Sequence, residues 1–192
     1  MSGIEAAAFI LGVLNVLLLV RRSIWNYPFG IAMVSLYAVV FFEAKLYSDA
    51  LLQIFFLVVQ IYGWMHWVRA RAAEGEIRVE TLSNPARLAI LAAAAAATIG
   101  WGSLMQAYTD ASYPFWDASV AMLSVTAQIL LARRYLENWA LWVVVDLLSI
   151  GLYAAKGLWL TLILYVIFLG LATWGLWQWN KVRRQSGPAV AA

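Results

Sequence analysis

The chain has 192 residues, of which 65% are hydrophobic and only 12% charged, with 11 Trp, no Cys and a formal net charge of +3. This composition excludes a soluble globule with a charged surface, and the absence of cysteine excludes disulfides, thiolate metal sites and thiol nucleophiles. The basic residues fall in short clusters between apolar runs, where topology signals lie, and form no stripe that would suit nucleic acid.

In chain order, apolar runs separated by charge, Pro or Asn predict seven membrane helices, over roughly 4–20, 27–43, 48–69, 86–107, 115–132, 138–155 and 158–180. The first lacks a basic leader and runs directly into Arg21-Arg22, so it reads as a retained span and not as a signal peptide. Pro28 suits the first turn of the second, where no helix hydrogen bond is lost. The polar stretch 71–85, with Glu74-Gly75-Glu76 and Ser83-Asn84-Pro85, predicts a cytoplasmic linker before the fourth helix and its run Ala92–Ala97. Residues 181–192 are expected to form a disordered cytoplasmic tail.

Spans one to three return as spans five to seven, 112 residues later and without a gap. Arg21-Arg22 recurs as Arg133-Arg134, Asn26-Tyr27 as Asn138-Trp139, Leu46-Tyr47 as Leu158-Trp159, and Tyr62-Gly63 with Trp67 as Trp174-Gly175 with Trp179. Duplicated membrane halves are a common plan for transporters. Eleven of the thirteen Lys and Arg residues fall on one side of the seven spans, and only Lys45 and Lys156 on the other. That bias places the amino terminus outside and the carboxyl terminus in the cytoplasm. Both copies then enter from the same side, so the expected fold is an all-α integral membrane protein with a 3+1+3 parallel repeat. It divides into a first repeat (1–70), linker (71–85), linker helix (86–110), second repeat (111–180) and tail.

Polar residues within the spans carry the functional reading. Asp146 lies eight residues past Asn138, about 12 Å along its helix and close to the midplane, where a carboxylate costs about 2.5–3.5 kcal/mol. Trp139, Trp142, Asp146, Ser149 and Tyr153 share one face. Such a stripe can hold an aromatic cation by stacking, cation–π attraction and charge, or it can serve interhelical hydrogen bonding and an interfacial belt. Gln53 and Gln60 on the third helix and Gln128 on the fifth can orient a polar ligand or act as glue between helices. Asp117, after Pro114-Phe115-Trp116, suits a helix amino terminus, and the lone His66 is a poor metal site. An intramembrane enzyme would need Asp117 and Asp146 within mutual reach of a reacting group.

Four blocks carry a resemblance to the PnuC family of bacterial vitamin-precursor transporters: Asn26-Tyr27-Pro28-Phe29-Gly30, Tyr62-Gly63-Trp64, Tyr113-Pro114-Phe115-Trp116-Asp117, and Glu137-Asn138-Trp139-Ala140-Leu141-Trp142 with Asp146. The last resembles the family's Trp-x-x-Trp-x-x-x-Asn/Asp pattern and is the most specific. The resemblance implies an architecture related to the SWEET sugar transporters. It also implies facilitated diffusion of nicotinamide riboside across the bacterial inner membrane, with trapping by a cytoplasmic kinase and no cofactor. The implied pocket lies at mid-membrane between the repeats, with Trp139, Trp142 and Asp146 as first choices and Gln53, Gln60 and Gln128 as weaker ones. A carboxylate at 146, where Asn is associated with many nicotinamide riboside members, leaves thiamine or another nucleoside-like vitamin as the rival substrate. The oligomeric state, including a homo-oligomer, stays open.

Overall fold

The structure, a computed structural model, describes residues 3–43, 47–110, 112–157 and 159–186. Lys45, Leu46, Leu158 and residues 187–192, which entered the charge count, the repeat and the expected tail, lie outside the described residues. Seven helices follow in order: α1 (Gly3–Val20), α2 (Asn26–Glu43), α3 (Tyr47–Glu74), α4 (Asn84–Tyr108), α5 (Pro114–Ala132), α6 (Glu137–Ala155) and α7 (Trp159–Ser186). Five of them, α3 to α7, are long and apolar enough to cross a membrane, while α1 and α2 carry the shorter apolar stretches Ala7–Val20 and Asn26–Val40.

Two helices outrun their predicted spans. α3 continues to Glu74, and α7 continues to Ser186, so Lys181–Ser186 is helical where disorder was expected. Basic residues in the last turns, Arg71 in α3 and Arg183 and Arg184 in α7, complement the negative helix end. Arg183 also donates to Asn180 Oδ1 at 3.1 Å, and Lys181 Nζ lies 5.5 Å from the Trp177 ring centroid. α4 starts at Asn84, two residues before the expected 86, with Ser83 as N-cap accepting from Ala86 N and Pro85 in the first turn.

The chain forms two compact units, Met1–Arg78 with Ala132–Arg134, and Val79–Leu131 with Tyr135–Ala192. The boundary falls inside the polar stretch 71–85. In the first unit α1 packs on α2 and α2 on α3. In the second α6 packs on α7, and Trp116 Nε1 on α5 donates to Leu148 O on α6 at 2.9 Å. The indole passes over Gly151, where a side chain would sit 2.8 Å from it. Lys156 Nζ reaches both Asp117 carboxylate oxygens at 3.0 Å.

The 112-residue echo is built into local geometry. α1 and α5 each end on an arginine in the left-handed region, Arg22 at φ 54° and Arg134 at φ 66°. The next amide closes each cap, Ser23 N to Leu18 O and Tyr135 N to Leu130 O, both at 3.0 Å. Asn26 and Asn138 then donate back to Ser23 O at 2.7 Å and to Tyr135 O at 2.6 Å. Left-handed backbone normally costs a non-glycine residue about 1–2 kcal/mol. Here the side chains are employed: Arg22 donates to Ile77 O at 2.6 Å and Arg134 to Glu74 Oε1 at 3.3 Å. In the second unit Leu136 N donates to Glu80 O, and Glu137 Oε1 accepts from Leu82 N and Arg87.

Candidate functional site

On α6 the residues Asn138, Trp139, Val145, Asp146, Ser149 and Leu152 are buried, which establishes the face inferred from the Trp139–Asp146–Ser149 spacing. Asp146 is only 3% exposed. Among the described residues no Lys, Arg or His forms an ion pair with it. A buried carboxylate without a cation is the arrangement proteins avoid unless a ligand, a proton or water answers it. Tyr165 of α7 lies in the same polar cluster as Asp146, Ser149 and Tyr153, and its ring stacks on Tyr153 with centroids 5.3 Å apart. The α6–α7 pairing brings Tyr165 beside the acidic stripe.

Trp142, one turn before Asp146, is half-buried. Trp139 differs. Its ring is sealed at 1% exposure, stands edge-on to Trp179 and presses on Gly175, and its Nε1 takes no hydrogen bond. Its i, i+3 spacing from Trp142 put both on one stripe, but the α7 glycine admits only Trp139 into the helix interface. Trp139 thus packs between α6 and α7 in this structure.

Gln128 on α5 is 8% exposed and takes no hydrogen bond from the described residues. In the first unit Gln60 on α3 is 5% exposed and equally without a hydrogen bond there, while Gln53 is half-buried. On α3 Gln60, Gly63 and Trp67 are buried, while Trp64 is exposed.

An apolar groove of about 340 Å³ between α4, α5 and α6 is lined by Leu91, Ala94, Thr98, Ser119, Leu123 and Leu148. It contains none of the six candidate residues and no ionisable group. Asp117 is held by Lys156, ten residues past Asp146 and about 15 Å farther along α6. The two carboxylates are not assembled as an acid–base pair.

Comparison with known proteins agrees with this geometry. A family profile described as "Nicotinamide mononucleotide transporter" matches residues 2–181. The nicotinamide riboside transporter PnuC of Escherichia coli strain K12 is 31% identical, over 97% of this chain and 89% of that protein. The riboflavin/roseoflavin transporter RibM of Streptomyces davaonensis is 34% identical, over 94% of this chain and 86% of its own length. A crystal structure of the vitamin B3 transporter PnuC superposes with a TM-score of 0.79 at 29% identity, covering 97% of this chain and 84% of that one. Seven helices, five of membrane-spanning length, and similarity along nearly the whole sequence make this chain a multi-pass membrane transporter of the PnuC, or nicotinamide mononucleotide transporter, family.

Proposed function

We propose that the chain is a uniporter for nicotinamide riboside, driven by the substrate gradient and by trapping when a cytoplasmic kinase phosphorylates the nucleoside. Asp146 carries this reading: a buried carboxylate with no cationic partner among the described residues, one turn from Trp142, suits a positively charged aromatic ring. The pyridinium of nicotinamide riboside supplies both features. Gln128 and Gln60 offer amides for the neutral parts of the ligand, and Gln53 is a weaker contact. The relatives named for nicotinamide riboside support the same substrate.

In this reading two three-helix halves share one membrane orientation, joined by the polar linker and α4. The protein sits in a bacterial inner membrane with its amino terminus outside and its carboxyl terminus in the cytoplasm. The recurrent arginine caps and the one-sided distribution of basic residues support that arrangement.

Proteoliposomes test it. Labelled nicotinamide riboside should equilibrate across the bilayer without any ion gradient and be displaced by unlabelled substrate; a lack of saturable uptake sinks the proposal. The 34% identity to a riboflavin/roseoflavin transporter favours a second reading, riboflavin uptake. Riboflavin has no cationic ring for Asp146, so competition by riboflavin, thiamine and nicotinamide riboside at one pH separates a flavin carrier from an aromatic-cation carrier.

A further inference from the structure

The first unit holds a polar construction that its counterpart in the second unit lacks. Asn15 on α1 donates through Nδ2 to Asn26 O at 2.7 Å, which fixes the orientation of its amide. Gly30 on α2 is buried and faces both Asn15 and Gln60. A Cβ there would overlap Gln60 Oε1 outright and stand 2.6 Å from Asn15 Nδ2. Only a glycine at position 30 leaves room for both amides over α2. Gln60 is 95% buried yet takes no hydrogen bond from any described residue.

The corresponding positions 112 residues later are Ala127, Trp142 and Ala172. Ala127 and Ala172 are buried at 0% and 3% exposure. One half thus places amides on its outer two helices and nothing on the middle one, while the other places methyl groups on the outer two and an indole on the middle one. The shared scaffold accepts apolar residues at these positions, so packing does not demand the amides.

We propose that Asn15 and Gln60, seated over Gly30, form a hydrogen-bonding subsite for the carboxamide or imide edge of a planar heteroaromatic ligand. This deepens the transport reading above and rests on it, adding Asn15 as a contact and Gly30 as a positioning residue. An amide held in a fixed plane offers an acceptor and a donor side by side. That pair complements the primary carboxamide of a nicotinamide ring and equally the imide edge of an isoalloxazine.

The test is a binding titration of the full-length protein in detergent, with thermal unfolding run in parallel. The probes are nicotinamide riboside, the same riboside lacking its carboxamide, riboflavin, and riboflavin methylated on its imide nitrogen. The unaltered chain should prefer one complete ligand over its blocked partner by about tenfold or more, as a site built to hydrogen-bond does; which pair shows the preference identifies the source of the edge. Asn15→Ala and Gln60→Ala should each bring that ratio close to one at an unchanged unfolding temperature. Gly30→Ala should do the same by displacing Gln60, and the two alanine variants carry the test if it fails to fold. A ratio that survives both alanine variants overturns the subsite and leaves the transport reading standing. An unaltered chain that binds neither complete ligand overturns the transport reading and the subsite with it.

Discussion

Trp139 stands edge-on to Trp179, with ring centroids 5.7 Å apart and planes at 80°, as Tyr27 stands to Trp67 at 5.3 Å and 86°. Each pair is completed by a glycine on the later helix, Gly175 under Trp139 and Gly63 under Tyr27. Edge-on aromatic pairs add about 0.5–1.5 kcal/mol to the area they bury. The motif therefore joins α2 to α3 in one unit and α6 to α7 in the other, and its aromatic character follows from packing before any ligand is considered.

Trp139→Ala should accordingly destabilise the fold by about 3–5 kcal/mol, the usual cost of emptying a buried aromatic site. The molecules that remain folded should bind substrate with nearly normal affinity. Unfolding in detergent together with ligand titration checks both halves of this statement; a large affinity loss at unchanged stability would return Trp139 to the ligand site.

The helix-ending arginines give a prediction of sign. Arg22 and Arg134 adopt left-handed backbone and donate to Ile77 O and Glu74 respectively. Replacing Arg22 by Ala removes the clamp and keeps the backbone strain, whereas Gly removes both. Arg22→Ala should be less stable than Arg22→Gly by about 1–2 kcal/mol, and the same order should hold at Arg134. Equal unfolding midpoints for the Ala and Gly variants would rule out strain at these corners.

Asp146→Asn keeps the side-chain shape and removes the charge. If Asp146 answers a cationic ring, affinity for nicotinamide riboside should fall about tenfold or more, roughly 1.4 kcal/mol. Affinity for riboflavin should change little. Any pH dependence of nicotinamide riboside binding that belongs to this carboxylate should disappear in the variant. Undiminished nicotinamide riboside affinity in Asp146→Asn would show that the charge is not used in recognition.

Much of this architecture was legible in the sequence because burial in a bilayer imposes long apolar runs and a fixed repeat exposes its own register. The seven helices among the described residues and the buried face around Asp146 follow from spacing. What escaped depends on which neighbour each side chain meets. Trp139 and Trp142 look alike on a helical wheel, and only Gly175 on α7 separates them. Asn15 sits in an otherwise apolar span, and its placement emerges once Gly30 faces both it and Gln60. α3 and α7 run past their apolar stretches because basic residues, which end an apolar run, favour the last turn of a helix.

Lys156 and Asp117 supply the last prediction. Lys156 Nζ lies 3.0 Å from both carboxylate oxygens, and the two side chains are 29% and 34% exposed. The pair ties the start of α5 to the residue that follows α6. Asp117 also lies in the first turn of its helix, where a negative charge is favourable on its own account. Partly exposed pairs usually contribute about 0.2–1 kcal/mol. A double-mutant cycle with Asp117→Asn and Lys156→Gln should therefore give a coupling energy within that range, weakened by added salt. Neither variant should alter the preference between nicotinamide riboside and riboflavin, because this pair lies about 15 Å along α6 from Asp146. A change in that preference would place Asp117 in ligand recognition and reopen the assignment of the charged stripe.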